Sequence, residues 1–269
     1  SLHSVSQEPC NEGPFLHPKQ RLMRRRCTMS TTGRNYCATM RFALSWDAEL
    51  HNRHSVIDHR VMSNAINLEQ ALDEMHAAVL AMLPPTLLDL TDLAACRTQI
   101  DMVLGAAPVP PMPENVTLSE VHVPGVDGDP DVRVKMYTPN DLPAGSPALV
   151  WIHGGGMVLL SADGDDFQCA SRAAKHNCLV ASVDYRLAPE TAAPGLVNDC
   201  YAAFRHVANN ADALGIDASR IVIGGASAGG GLAAGTALFA RDQGGQQPSA
   251  QLLVFPMLDH SNTTESSHA

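Results

Sequence analysis

Arg220-Ile221-Val222-Ile223-Gly224-Gly225-Ala226-Ser227-Ala228-Gly229-Gly230-Gly231-Leu232-Ala233-Ala234 runs from an apolar strand-like segment, through a Gly-x-Ser-x-Gly turn, into a small-residue helical segment. Strand, tight turn and helix are the context that makes this motif a nucleophile elbow, with Ser227 on the turn. The flanking Gly225 and Gly229 are needed because a sharp turn demands backbone angles and a strand-to-helix approach that side chains obstruct. Working outward, a second glycine-rich stretch, His153-Gly154-Gly155-Gly156, follows the apolar run Ala148-Leu149-Val150-Trp151-Ile152. Acyl transfer builds negative charge on a carbonyl oxygen, and fixed N–H donors aimed at that oxygen contribute ~3–4 kcal/mol each. Gly154 and Gly155 can turn bare N–H groups toward it, and the N–H of Ala228, beside the nucleophile, completes an oxyanion hole. Either motif alone arises readily without chemistry. Both together, each after a strand, point to acyl transfer.

With Val183-Asp184-Tyr185-Arg186-Leu187-Ala188-Pro189-Glu190 added between them, these motifs resemble the hormone-sensitive-lipase-like (bacterial type IV) carboxylesterases of the α/β-hydrolase fold. The resemblance covers roughly residues 65–269. It implies a serine esterase with a Ser-Asp-His triad, no metal or cofactor, a small-molecule ester of short or medium acyl length as substrate, and a helical cap over the pocket. It also implies that Asp184, Tyr185 and Arg186 brace the oxyanion loop; for Asp184 and Arg186 a purely structural ion pair is the equal alternative. His153 precedes Ser227, whereas the triad order of this fold is Ser, acid, His, so His153 is expected to hold the loop backbone in shape. This sequence departs from the family at Leu160, where many members have Gly, and at Thr191, where many have His.

Order along the chain supports an α/β class. Strands are expected at 117–123, 132–137, 148–152, 178–183, 220–223 and 251–255, and helices at 167–176, 196–208 and 232–241. This βα alternation argues for a mostly parallel sheet with flanking helices. Leu68, Ala71, Leu72, Met75, Val79, Leu80 and Leu83 recur at helical spacing before Pro84-Pro85, and a second helix is expected over 92–104. Residues 62–110 are thus an N-terminal helical segment, as a cap or as ordinary core packing, and residues 111–269 the catalytic domain. Residues 1–61 lack either period and hold 9 basic and 5 acidic groups, against 9 and 23 in the remainder. They read as a disordered extension outside the fold.

After Ser227 only 42 residues remain, and one βαβ unit takes ~30 or more. Asp242, Asp259, His260, Glu265 and His268 are the acids and bases within reach, and none is well spaced to serve Ser227. The expectation is therefore an incomplete domain, with the last strands and the triad Asp and His missing, and a 269-residue chain inactive by itself. The alternative reading is a non-catalytic small-molecule-binding or inactive product of the same fold. A net charge of −10 disfavours nucleic acid, whose binding depends on phosphate neutralisation. No run reaches the ~18 apolar residues of a membrane span. Seven cysteines, odd in number and without a C-x-x-C pair, fit reduced thiols in a cytoplasmic protein.

Overall fold

The structure is a computed structural model that describes residues 89–106, 108–261 and 263. The extension at 1–61, the helix expected from Asn67 to Leu83, Glu265 and His268 lie outside the described residues. Six strands form one sheet: β1 (Val116–Val123), β2 (Val132–Pro139), β3 (Ser146–Ile152), β4 (Leu179–Asp184), β5 (Ile216–Ala226) and β6 (Ala250–Val254), in the spatial order β1-β2-β4-β3-β5-β6. The first pairings, β1 with β2 and β2 with β4, are antiparallel. The others, β3 with β4, β3 with β5 and β5 with β6, are parallel. The fold is the α/β-hydrolase fold, with a mostly parallel sheet between helices.

Sequence dictates which strands sit in the middle. Leu179-Val180-Ala181-Ser182-Val183 is buried throughout, and so is the stretch Ala148–Ile152; a strand covered on both faces needs such continuous apolar runs. By contrast β1 alternates, exposing Thr117, Ser119 and His122, as suits an edge. Successive side chains divide between the two faces. Val150 and Ile152 join Ala181, Val183, Ile221 and Ile223 in a core under α3 (Gly195–Asn209) and α4 (Ala228–Asp242). Leu149 and Trp151 join Tyr137 and Val180 under α2 (Asp166–His176) on the other face. The earlier helix α1 (Leu93–Ala106), expected at 92–104, buries Cys96 and Ile100 against Leu159.

Two boundaries move in ways that matter for the site. The strand expected at 220–223 runs from Ile216 to Ala226, with a register shift against β3 between Ser146 and Ala148. Asp217 ties its own chain locally through Ser219 N and Oγ, and this polar stretch hid the strand's beginning. The helix expected from Leu232 begins at Ala228, directly after Ser227. Gly229-Gly230-Gly231 belongs to its first turn because close packing, not turn geometry, demands those glycines. At the far edge, β6 pairs with β5 alone among the described residues, leaving Leu252, and beyond the strand Phe255 and Leu258, exposed.

Candidate active site

The carboxyl ends of β3 and β5 lie side by side, Ile152 opposite Gly225, so the two motifs meet there. Ser227 occupies the turn with φ 53° and ψ −117°, a conformation a residue with a Cβ adopts only when its surroundings enforce it. Three backbone bonds enforce it: Ser227 N–H donates to Val254 O at 2.9 Å, and Ser227 O accepts from Gly231 N at 3.1 Å and Met257 N at 3.0 Å. Gly229 allows the close approach behind the turn. A Cβ there would lie 2.1 Å from Ile152 O and 2.4 Å from His153 O. Among the described residues no side chain hydrogen-bonds to Ser227 Oγ.

The loop after β3 abuts this elbow. A Cβ placed on Gly154 would stand 3.1 Å from Ala226 O and 3.7 Å from the Cβ of Ser227. Gly155 and Gly156 have φ of 110° and 63°, and so do two residues with side chains, Met157 at 69° and Leu160 at 68°. Leu160 thus holds a backbone conformation that suits the glycine found in many family members. The chain folds back so tightly that Leu159 O would lie 2.1 Å from a Cβ on Gly155. No backbone carbonyl among the described residues accepts from the N–H groups of Gly154 or Gly155. The N–H of Ala228 opens α4, where the first four amides have no intrahelical acceptor. The positive end of a helix dipole therefore lies at Ser227.

Side chains below the loop fix its start. His153 is buried, stacks on Tyr185 at 4.3 Å between ring centroids, and has Nδ1 2.7 Å from Gly154 O. Since that carbonyl can only accept, Nδ1 carries the proton, and Nε2 is buried with no hydrogen-bond partner among the described residues. Tyr185 Oη donates to His153 O at 3.1 Å and Gly154 O at 3.4 Å. Asp184 acts at the loop's other end, accepting from Ala162 N at 3.0 Å and Arg133 Nη1 at 3.2 Å. Of the two readings of Arg186, its contacts are those of a structural ion pair. It makes no hydrogen bond to residues 153–161 and does not pair with Asp184. Its guanidinium holds the fully buried Asp199 of α3 at 2.7 Å and Asp129 at 3.1 Å. The chain turns after Tyr185, so Arg186 lies over α3 instead of the loop.

An anchor below the loop was not visible in the sequence. Alternate residues of β2, Arg133, Lys135 and Tyr137, face Asp163 and Asp166, while Trp151 Nε1 donates to Asp165 at 2.6 Å. Burial works against the Lys135 ammonium, but Asp163 and Asp166 outweigh it and keep it charged. Arg133, followed by Lys135, holds the Asp163 carboxyl well below the usual range. Only the strand's pleat and the pairing of β2 with β4 bring these scattered charges together. Among the described residues, Asp242 and Asp259 make their contacts away from the Ser227 side chain. Asp242 pairs with Arg241, and Asp259 accepts from Ser261 N and Oγ.

These titrations carry a stability signature. Burial lowers the pKa of His153 below the ordinary value, and His206 shifts the same way. The unfolded chain therefore takes up protons that the folded chain refuses, and stability falls as pH drops below about 6.5. Asp163, Glu120 and Asp129 are also lowered, mainly by Arg133, by Arg133 and by Asn198 respectively. Their contribution is present above about pH 4 and is lost as pH falls further. Thermal melts from pH 8 to pH 3 should show Tm declining in these two stages. A Tm that is flat or rising between pH 7 and pH 5 contradicts the assignment.

Residues 149–269 match the α/β-hydrolase fold family. It is 43% identical over 132 residues to carboxylesterase NlhH of Mycobacterium tuberculosis, a match covering 49% of this chain and 41% of the relative. Esterase LipI of the same organism is 35% identical over 199 residues, covering 71% and 60%. Among solved structures, a bacterial heroin esterase superposes with a TM-score of 0.70 at 45% identity, covering 75% of this chain and 63% of that one. The chain spans 41–60% of the length of these curated relatives. Among the described residues no helix is long and apolar enough to cross a membrane.

Proposed function

We propose that the protein carrying this chain is a carboxylic ester hydrolase working through an acyl-enzyme on Ser227. The observation that carries this reading is the strained φ/ψ of Ser227 at the mouth of the Gly154–Gly156 loop. Strain of this kind persists where a fold holds a reactive group outward. Ser227 Oγ attacks the acyl carbon, and the developing oxyanion takes hydrogen bonds from the N–H groups of Gly154, Gly155 and Ala228. Collapse releases the alcohol, and water then cleaves the Ser227 ester. His153 and Tyr185 hold the first donor's carbonyl side in place, and Asp184 fixes the loop's exit. In this reading the histidine and carboxylate that activate Ser227 come from outside the described residues, and without them the serine keeps its proton and reacts slowly.

Relatives named carboxylesterase and esterase support a small carboxylic ester, of short or medium acyl length, as substrate. Between α1 and the loop lies a cavity of about 140 Å³ lined by Ile100, Leu159, Leu160, Leu187, Arg97 and Asp101, which supports α1 as part of a cap. Cys169, Cys178 and Cys200 are free and buried, which supports a reducing, cytoplasmic setting.

The test is covalent trapping. A fluorophosphonate added to the protein should inhibit hydrolysis of p-nitrophenyl butyrate with one adduct, mapped by peptide mass spectrometry to Ser227. Turnover that survives the probe, or an adduct on another residue, rules the reading out.

A further inference from the structure

The glycine loop has supports on three sides. His153 and Tyr185 hold its start, the Asp184 carboxylate holds its exit, and its middle is reached from α1. Arg97 Nε donates to Val158 O at 2.8 Å, and the same guanidinium donates through Nη2 to Ala188 O at 3.0 Å. Neither carbonyl accepts a backbone N–H among the described residues. Ala188 N itself donates to Met157 O at 2.9 Å, so Arg97 clamps two loops that already touch. Glu190 orients the guanidinium bidentately, at 2.7 and 3.0 Å. Glu190 is held down to about 2 by that guanidinium, so the pair stays charged above mildly acidic pH.

Residues under the clamp are the ones whose conformation is costly. Met157 and Leu160, at φ 69° and 68°, flank Val158-Leu159, and each such backbone costs ~1–3 kcal/mol unless its surroundings enforce it. If Val158 O is released, the turn that presses Leu159 O onto Gly155 relaxes toward ordinary angles. The amide of Gly155 then rotates with it. Oxyanion donors act by being fixed before charge develops, and a misplacement of about 1 Å costs ~10²-fold.

We infer that Arg97 is a positioning residue: through Val158 O it makes the alignment of the Gly154 and Gly155 amides depend on the seating of α1. The catalytic part of this inference rests on the proposed esterase reading; the mechanical part does not. Helix α1 then does more than wall a pocket. A ligand that pulls α1 away, or a cap that fails to close, loosens the donors as well as the cavity.

The experiment compares Arg97→Ala and Glu190→Gln, each in the full protein, by two readouts. The first is hydrogen-exchange mass spectrometry of peptides covering residues 154–161. Arg97→Ala should speed exchange there ~10-fold or more, with peptides from β3 and β4 unchanged, while Glu190→Gln, which keeps both carbonyl bonds, moves it little. The second is ester hydrolysis. Arg97→Ala should lower kcat ~10- to 100-fold with KM within about threefold, and added guanidinium ion should restore part of the kcat. Glu190→Gln should stay within about threefold. Unchanged exchange over 154–161 in Arg97→Ala overturns the inference whether or not esters are hydrolysed. So does a Glu190→Gln loss equal to that of Arg97→Ala, which assigns the effect to the ion pair. If Ser227→Ala leaves turnover intact while the exchange result holds, the esterase reading fails and the mechanical clamp stands.

Discussion

Replacing Ser227 by Ala is expected to lower ester turnover at least ~10⁴-fold, with the fold and its melting temperature preserved. In serine hydrolases, loss of the nucleophile leaves only what binding and the oxyanion donors provide, ~10³–10⁴ over water. Here the substitution removes one oxygen and no structural bond. Ser227 N–H to Val254 O, and Ser227 O to Gly231 N and Met257 N, are backbone contacts that alanine keeps. Alanine also bears the same Cβ, so the strained φ of 53° is no costlier. KM should stay within a few-fold, because the substitution removes only the hydroxyl oxygen. Kinetics with p-nitrophenyl butyrate, alongside a thermal melt, separates the outcomes. A variant that melts normally yet keeps more than about a tenth of wild-type kcat eliminates Ser227 as nucleophile. One that loses activity together with its melt reports on folding, and Ser227→Gly, which relieves the strained backbone, then has to be inactive and folded for the assignment to hold.

How far the sequence carried this picture depended on the range of the signal. The elbow was legible because every requirement is local: an apolar strand, a serine between glycines, a helix directly after. The sheet's central strands were legible for a similar reason, since runs such as Leu179–Val183 are apolar on both faces. Boundaries failed where one residue type serves two purposes. The helix expected from Leu232 begins at Ala228, and Gly229, Gly230 and Gly231 are glycine because Ile152, Pro256 and Met257 press against them. The supports of the glycine loop were legible only in part. His153 and Tyr185 lie inside recognisable motifs. Arg97 reaches Val158 across 61 residues of chain, and Arg133 and Lys135 meet Asp163 only after the β1–β2 hairpin has docked on β4. No spacing rule encodes a pairing of that kind. For Arg186 the sequence left loop bracing and a structural ion pair equally open; adjacency to Tyr185 places it in the motif, and the backbone turn sends its guanidinium to Asp199.

The second large effect concerns Gly229, where a valine is expected to abolish folding. A Cβ at this position would sit 2.1 Å from Ile152 O, 2.4 Å from His153 O and 2.7 Å from Ile152 C. All three are backbone atoms, and Ile152 is locked into the sheet by pairing with β4 and β5, so no side-chain rotation relieves the overlap. Either α4 lifts off the sheet or β3 shifts in register, and both uncover the apolar core that Leu232 and Ala233 close. Alanine already introduces the Cβ and should cost several kcal/mol, in the upper tail of point substitutions; valine adds two methyl groups in the same crevice, and a protein of ordinary stability has only ~5–15 kcal/mol to lose. Gly235 is the internal control. A Cβ there meets nothing nearer than a Val197 methyl at 3.6 Å, and in mid-helix alanine is favoured over glycine by ~1 kcal/mol, so Gly235→Ala should raise Tm. Chemical denaturation of the three variants should rank them Gly235→Ala, wild type, then Gly229→Ala, with Gly229→Val recovered only as aggregate. A Gly229→Val protein that melts within a few degrees of wild type refutes the close approach of α4 to β3, and with it the geometry that brings Ser227 to the glycine loop.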